Sequence, residues 1–232
     1  MYSVVAEAGG RVVGSKFLWE GGAVAGVGPV TVDPAAQAAS VGRRMMEAVL
    51  ERARERRISS VRLVQAAFNT RSMSLYTKLG FDVREPLVCL QGNPRSLRPQ
   101  TPGLVVRKAT ERDADACADV CRRVHGHDRT GELLAAIAQG KATVAERGGA
   151  VTGYATDVGF FGHVVGLSNY ELTALLAAAP QISGPGLLLP ARNAEVFRWC
   201  LAGGLKVVQP MTLMSLGLYN EPRGAFVPSI LF

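Results

Sequence analysis

Two short stretches carry side chains whose types and spacing could do chemistry. The first, V-D-P-A-A-Q-A-A-S-V-G-R-R over residues 32–44, sets the small residues Ala38, Ala39, Ser40 and Gly42 at the start of a helical pattern. Small side chains let a ligand approach the backbone, and the first turn of a helix offers unpaired N–H groups at the positive end of its dipole. That combination suits a pyrophosphate, with Arg43 and Arg44 placed to add charge-assisted bonds. Ala- and Ser-rich helix starts are also common without a ligand, so the stretch alone leaves both readings open. The second stretch, N-T-R-S-M-S-L-Y-T-K-L-G-F over 69–81, puts Asn69, Ser72 and Tyr76 at helical spacings. On a helix they share one polar stripe, with Leu75 and Leu79 forming an apolar stripe beside it. A tyrosine so placed is either a packed amphipathic side chain or a functional phenol.

The elements around these groups follow from periodicity. Residues 3–19 read as two β-rich arms about Gly9-Gly10, a hairpin. Residues 21–34 give a further strand ending at Asp33-Pro34; Pro29 within it removes a ladder donor, so a bulge or a splayed neighbour is expected there. A long amphipathic helix over 36–56 follows, with Val41, Met45, Ala48, Val49 and Ala53 inward. Then come a strand over 60–68, the short helix of the second stretch and a strand over 81–90.

Residues 93–103, N-P-R-S-L-R-P-Q-T-P-G, are rich in breakers and lack an apolar period, which makes them the expected linker between domains at 1–92 and 104–232. Beyond the linker the chain repeats itself. A-E-A-G-G-R-V-V-G at 6–14 matches A-E-R-G-G-A-V-T-G at 145–153, an offset of 139, and 69–83 matches 193–207, an offset of 124. The second copy is thus about 15 residues shorter between hairpin and helix, and the pattern is a domain duplication rather than a solenoid. The second copy is also preceded by a strand, a turn capped by Thr110 or Asp113, and two helices. The first copy begins at its hairpin, so either an N-terminal piece is missing or another element fills its place.

Composition narrows the class. With 232 residues, 48% hydrophobic and 19% charged, the chain has globular composition and the size of two small domains. No apolar run approaches the roughly 18 residues of a membrane span, and the start lacks a signal-peptide pattern, so a cytoplasmic location without a membrane partner is expected. Cys89, Cys117, Cys121 and Cys200 form no C-x-x-C pair and read as buried thiols, with no metal site expected. H-G-H-D-R at 125–129 reads as a solvated loop. The net charge of +7 favours an anionic partner only weakly: arginines in R-R-M-M-E-A-V-L-E-R-A-R-E-R-R alternate with Glu47, Glu51 and Glu55 at helix-pair spacing, and no recognition motif accompanies them, so nucleic acid is not an expected partner.

The order of parts resembles the GNAT superfamily of acetyl-CoA-dependent N-acetyltransferases. The resemblance rests on hairpin, bulged strand, a Gln-x-x-Ser-x-Gly helix start at 37–42, strand, then Asn-x-x-Ser-x-x-x-Tyr-x-x-x-Gly-Phe. Ser40 departs from the glycine usual in that loop. It covers residues 3 to about 90 strongly and 104–232 as a worn copy. It implies an α/β (α+β) fold of two GNAT-like domains, each a mixed, mostly antiparallel sheet flanked by helices, the first without its usual N-terminal strand and helices. It further implies that Val30, Thr31 and Val32 pair with the pantetheine arm, and that Gln37, Ala38, Ala39, Ser40, Val41, Gly42 and Arg43 hold the pyrophosphate. Asn69 and Ser72 would lie along the cofactor, and Tyr76 would act as general acid on the departing thiolate. Acetyl-CoA is then a substrate, the acceptor a small-molecule or peptide amine, and transfer direct.

No acid lies on the strand over 23–32 to serve as general base; Glu20 and the terminal carboxylate of the S-I-L-F tail are the remaining candidates. In copy two Tyr76 meets Cys200 and Ser72 meets Val196, and no phosphate-type helix start precedes them. That copy is expected to be non-catalytic, packing on the first, shaping the acceptor pocket or making a homodimer face. The alternative to an enzyme is a catalytically silent CoA-binding sensor or scaffold.

Overall fold

The computed structural model describes residues 1–98 and 103–231, with the side chains of 37–39 outside that description. Part of the expected linker and the terminal carboxylate therefore lie outside the described residues. The chain divides into two compact units, one formed by Met1–Arg84 with Leu213–Tyr219 and Leu231, the other by Glu85–Thr212 with 220–230.

The first unit opens with the expected hairpin, β1 (Tyr2–Ala8) and β2 (Arg11–Trp19). Gly9 and Gly10 both have positive φ, 56° and 74°, the twist-matched two-residue turn that glycine makes at no steric cost. β3 (Val24–Val32) runs antiparallel to β2, but the register jumps from Lys16↔Val30 to Leu18↔Val27. The surplus residue falls at Gly28-Pro29, where proline has no N–H to give the ladder. On its other side β3 runs parallel to β4 (Ser60–Ala66) for three pairs only, Val24↔Ser60 to Gly26↔Arg62. Beyond them the two strands share no ladder.

The helix expected from residue 36 starts later. Asp33 accepts from the Ala35 N–H at 2.9 Å and Pro34 fixes the next φ, so 34–39 winds as a tight 3₁₀ turn. Ser40 then takes a left-handed conformation (φ 57°, ψ 19°), and only after it does α1 (Val41–Glu55) run. Its buried face is Met45, Met46, Val49, Leu50 and Ala53. Val41 and Ala48, expected inward, are half-buried, while Met46 and Leu50 take the core positions. Gly14 on β2 allows this packing, since a Cβ there would meet Met45 Cε and the Thr31 carbonyl at 2.9 Å. α2 (Thr70–Lys78) and β5 (Asp82–Gln91) follow. Segment 213–219 returns to this unit, with the Leu218 N–H on the Ser59 carbonyl at 2.9 Å.

The second unit carries the expected prelude: β6 (Leu104–Lys108), then α3 (Ala114–His125) and α4 (Thr130–Ala138). Thr110 and Asp113 form a capping box, and Arg107 grips Asp113 (2.7 Å), holding that carboxyl well below its usual range. β7 (Thr143–Arg147), β8 (Ala150–Ala155), β9 (Val164–Gly166), α5 (Asn169–Ala178), β10 (Leu187–Pro190), α6 (Ala194–Ala202), β11 (Lys206–Gly217) and β12 (Ala225–Val227) complete the chain. The antiparallel sheet runs β12-β9-β8-β7-β6. Its hairpin repeats the first in detail: the register slips at Ala145/Glu146 as it does at Ala6/Glu7, and Gly153, like Gly14, leaves room for the following helix. All four cysteines are free and buried, with Cys117 and Cys200 pushed up to about 12 by desolvation. His125, expected in a solvated loop, is instead the last residue of α3 before the left-handed Gly126, and it is buried with its ring edge-on to Phe226 at 5.1 Å. Among the described residues no helix is long and apolar enough to cross a membrane.

Candidate active site

In the first unit, the pairing of β3 with β4 stops at residues 26 and 62, and each strand then leads through a short turn into a helix. Two helix N-termini thus follow the carboxyl ends of two diverging parallel strands, the place where open α/β sheets take ligands. At α1 no side chain among the described residues caps the first-turn donors. Ser40 makes no side-chain cap, no acid lies in the first turn, and Arg43 and Arg44 follow, Arg43 meeting Glu47 at 2.8 Å. Gly42 has ordinary backbone angles, and a Cβ there would meet only a Val32 methyl at 3.7 Å. The fold therefore does not require glycine at 42.

The counterpart in the second unit is built the other way. At the start of α5, Ser168 Oγ accepts from the Tyr170 N–H (3.2 Å), and the buried Glu171 carboxylate accepts from the Ser168 N–H (3.0 Å). That helix start is capped by its own side chains, and the Glu171 carboxylate in its first turn is also paired with Arg147 at 3.1 Å.

The residues of the polar stripe are linked through Ser72, but each is also bound into the fold. Asn69 is the N-cap of α2, its side-chain oxygen accepting from the Ser72 N–H at 3.0 Å. Asn193 does the same for Val196 at the start of α6 (3.4 Å), so asparagine serves the fold in both copies. Tyr76 is 8% exposed, more buried than Leu75 or Leu79, and belongs to the core cluster with Val27, Val61, Leu63, Met46 and Phe81. Desolvation raises its pKa, against a hydrogen bond with the Ser72 side chain that lowers it, so the phenol keeps its proton at neutral pH. The helix turns Tyr76 toward the strands that splay, while the leucines sit at the edge of the core. On β3, Thr31 bonds Ser15 across the hairpin (Oγ1 to Oγ, 2.7 Å). Val30 packs against the core cluster, and Val32 lies beside Gly42.

Glu20 is engaged by Arg52 at 2.8 Å and points away from use as a base. Two buried polar groups were not singled out in the sequence. Lys16 on β2 is fully buried; its Nζ lies 3.5 Å from the Gly28 carbonyl at the bulge, and burial alone lowers its pKa to about 7. Gln65 on β4 is 6% exposed. Both occupy inward positions of their alternations, Lys16 between Gly14 and Leu18 and Gln65 after Val61 and Leu63. A polar residue on the apolar phase was the signal that could have found them. Leu231 closes over Gly26, its carbonyl lying where a Cβ would stand. Among the described residues no group of side chains could hold a metal ion.

Residues 1–81 match the family model of the acetyltransferase (GNAT) family. Nothing among the curated proteins matches. Of solved structures, a candidate acetyltransferase from Pyrococcus horikoshii is similar at 18% identity and a TM-score of 0.73, covering 96% of this chain and 78% of that one. A GCN5-related N-acetyltransferase from Sphaerobacter thermophilus gives 14% and 0.58 (94% and 81% covered). A tandem GNAT protein of the clavulanic acid biosynthesis pathway gives 13% and 0.53 (93% and 82%). Residues 1–81 are thus similar to the GNAT acetyltransferase family, and the chain as a whole has the fold of these solved acetyltransferases.

Proposed function

We propose that the first unit binds acetyl-CoA and transfers its acetyl group directly to an amine, and that residues 104–232, joined by the link at 93–103, are a non-catalytic copy of the sequence at 1–92. The observation that carries this reading is the contrast between the two helix starts, open and basic at α1, self-capped and acidic at α5. In this reading the amides of 38–43, with Gln37 beside them, hold the pyrophosphate, and the backbone of Val30, Thr31 and Val32 takes the pantetheine arm along the edge that β4 leaves. Ser72 and the free amide nitrogen of Asn69 line the arm's far end.

In the reaction the neutral amine attacks the thioester carbonyl, a C–N bond forms and the C–S bond breaks. The Tyr76 phenol gives its proton to the departing thiolate and the amine's proton leaves to solvent. The buried phenol is protonated at neutral pH and so has a proton to give. Thiol release from acetyl-CoA against a panel of small amines and peptides tests the reading. Binding without release from any amine would instead make the chain a silent CoA sensor.

A further inference from the structure

The acyl-CoA reading leaves one polar side chain of the first unit without a task. Gln65 is nine-tenths buried, and neither Oε1 nor Nε2 has a hydrogen-bond partner among the described residues. Alternation along β4 puts it on the face of Val61 and Leu63, members of the cluster that holds Tyr76. It also lies three residues beyond Arg62, where the ladder with β3 ends, and so on the splayed part of the strand. A buried amide unsatisfied at both ends is costly, so a glutamine here calls for an occupant offering one acceptor and one donor.

We propose that Gln65 is a ligand contact within the splay, its Nε2 donating to and its Oε1 accepting from the secondary amides of the pantetheine arm. This rests on the acyl-CoA reading above. The arm carries amide C=O and N–H groups on an otherwise apolar chain, and the apolar face that Gln65 shares with Val61 and Leu63 on β4 suits its methylenes. A phosphate or carboxylate would use the donor alone and set its charge against Oε1, so an amide is the better occupant.

The test is Gln65→Met, which keeps the shape and removes both polar atoms. Calorimetric titration uses acetyl-CoA and, as a probe without the arm, 3′-phospho-ADP. Affinity for acetyl-CoA is expected to fall about tenfold while affinity for 3′-phospho-ADP holds, and the ligand-free variant is expected to melt above the parent. That opposition of signs is one that a purely structural glutamine would not give. Unchanged acetyl-CoA affinity overturns the proposal and assigns the amide to an ordered water; equal losses with both probes overturn it too. If the parent itself binds no acetyl-CoA, the acyl-CoA reading falls and takes this contact with it. Gln65→Leu, which likewise removes both polar atoms without adding a charge, repeats the comparison if the methionine variant does not fold, and parental affinity for acetyl-CoA in that variant again overturns the proposal.

Discussion

Lys16 offers the sharpest physical prediction. Its ammonium is enclosed between β2 and the bulge of β3, with no carboxylate contributing to its titration, and burial takes its pKa from the ordinary 10.5 to about 7. The unfolded chain holds that proton up to about 10.5, whereas the folded chain releases it near 7. Between these values the unfolded state binds more protons, so the parent gains stability as pH rises, by up to about 1.4 kcal/mol per pH unit. Below pH 7 the full cost of the buried charge is present, about 5 kcal/mol from the size of the fall in pKa. Lys16→Met keeps the apolar stem and removes the charge. Urea unfolding of parent and variant at pH 6, 7, 8 and 9 is therefore expected to show the variant more stable by about 5 kcal/mol at pH 6, the gap closing by more than half by pH 9. Parallel stability curves, or a variant less stable than the parent at pH 6, would refute the reasoning.

Three further substitutions follow from the same geometry. Ser40→Gly relieves a left-handed serine and is expected to raise stability by about 1 kcal/mol in thermal unfolding, with acetyl-CoA affinity kept or improved. Gly42→Ala meets only a methyl at ordinary contact distance, so stability should hold or rise by about 0.5 kcal/mol while calorimetry shows acetyl-CoA binding weakened at least tenfold. Tyr76→Phe loses the hydrogen bond with Ser72 and costs about 1 kcal/mol of stability; in the thiol-release assay kcat should fall on the order of a hundredfold with KM for acetyl-CoA little changed.

Much of the fold could be read from the sequence because its cues are local. The Gly-Gly turns and Pro29 each act through the backbone of a few neighbouring residues, and each appears in the structure where the sequence placed it; the Asn69 and Asn193 caps are equally local but were read as part of a polar stripe and its copy. The repeated hairpin was legible for the same reason. What was not legible depends on packing between elements. Tyr76 looked like part of a polar stripe, yet the helix is rotated so that the tyrosine, rather than Leu75 or Leu79, enters the core. Ser40 looked like an early helical residue, but the Asp33-capped turn before it forces a break. Lys16 and Gln65 were passed over because a polar residue within a strand reads as facing water, and only the covering elements show that it does not.

The most direct measurement is the stoichiometry of acetyl-CoA binding by isothermal titration calorimetry on the full chain. One open helix start and one closed by Ser168 and Glu171 predict one acetyl-CoA per chain, with a heat that disappears in Gly42→Asp, which places an acid where the pyrophosphate would lie. No binding, or two equivalent sites per chain, would contradict the account.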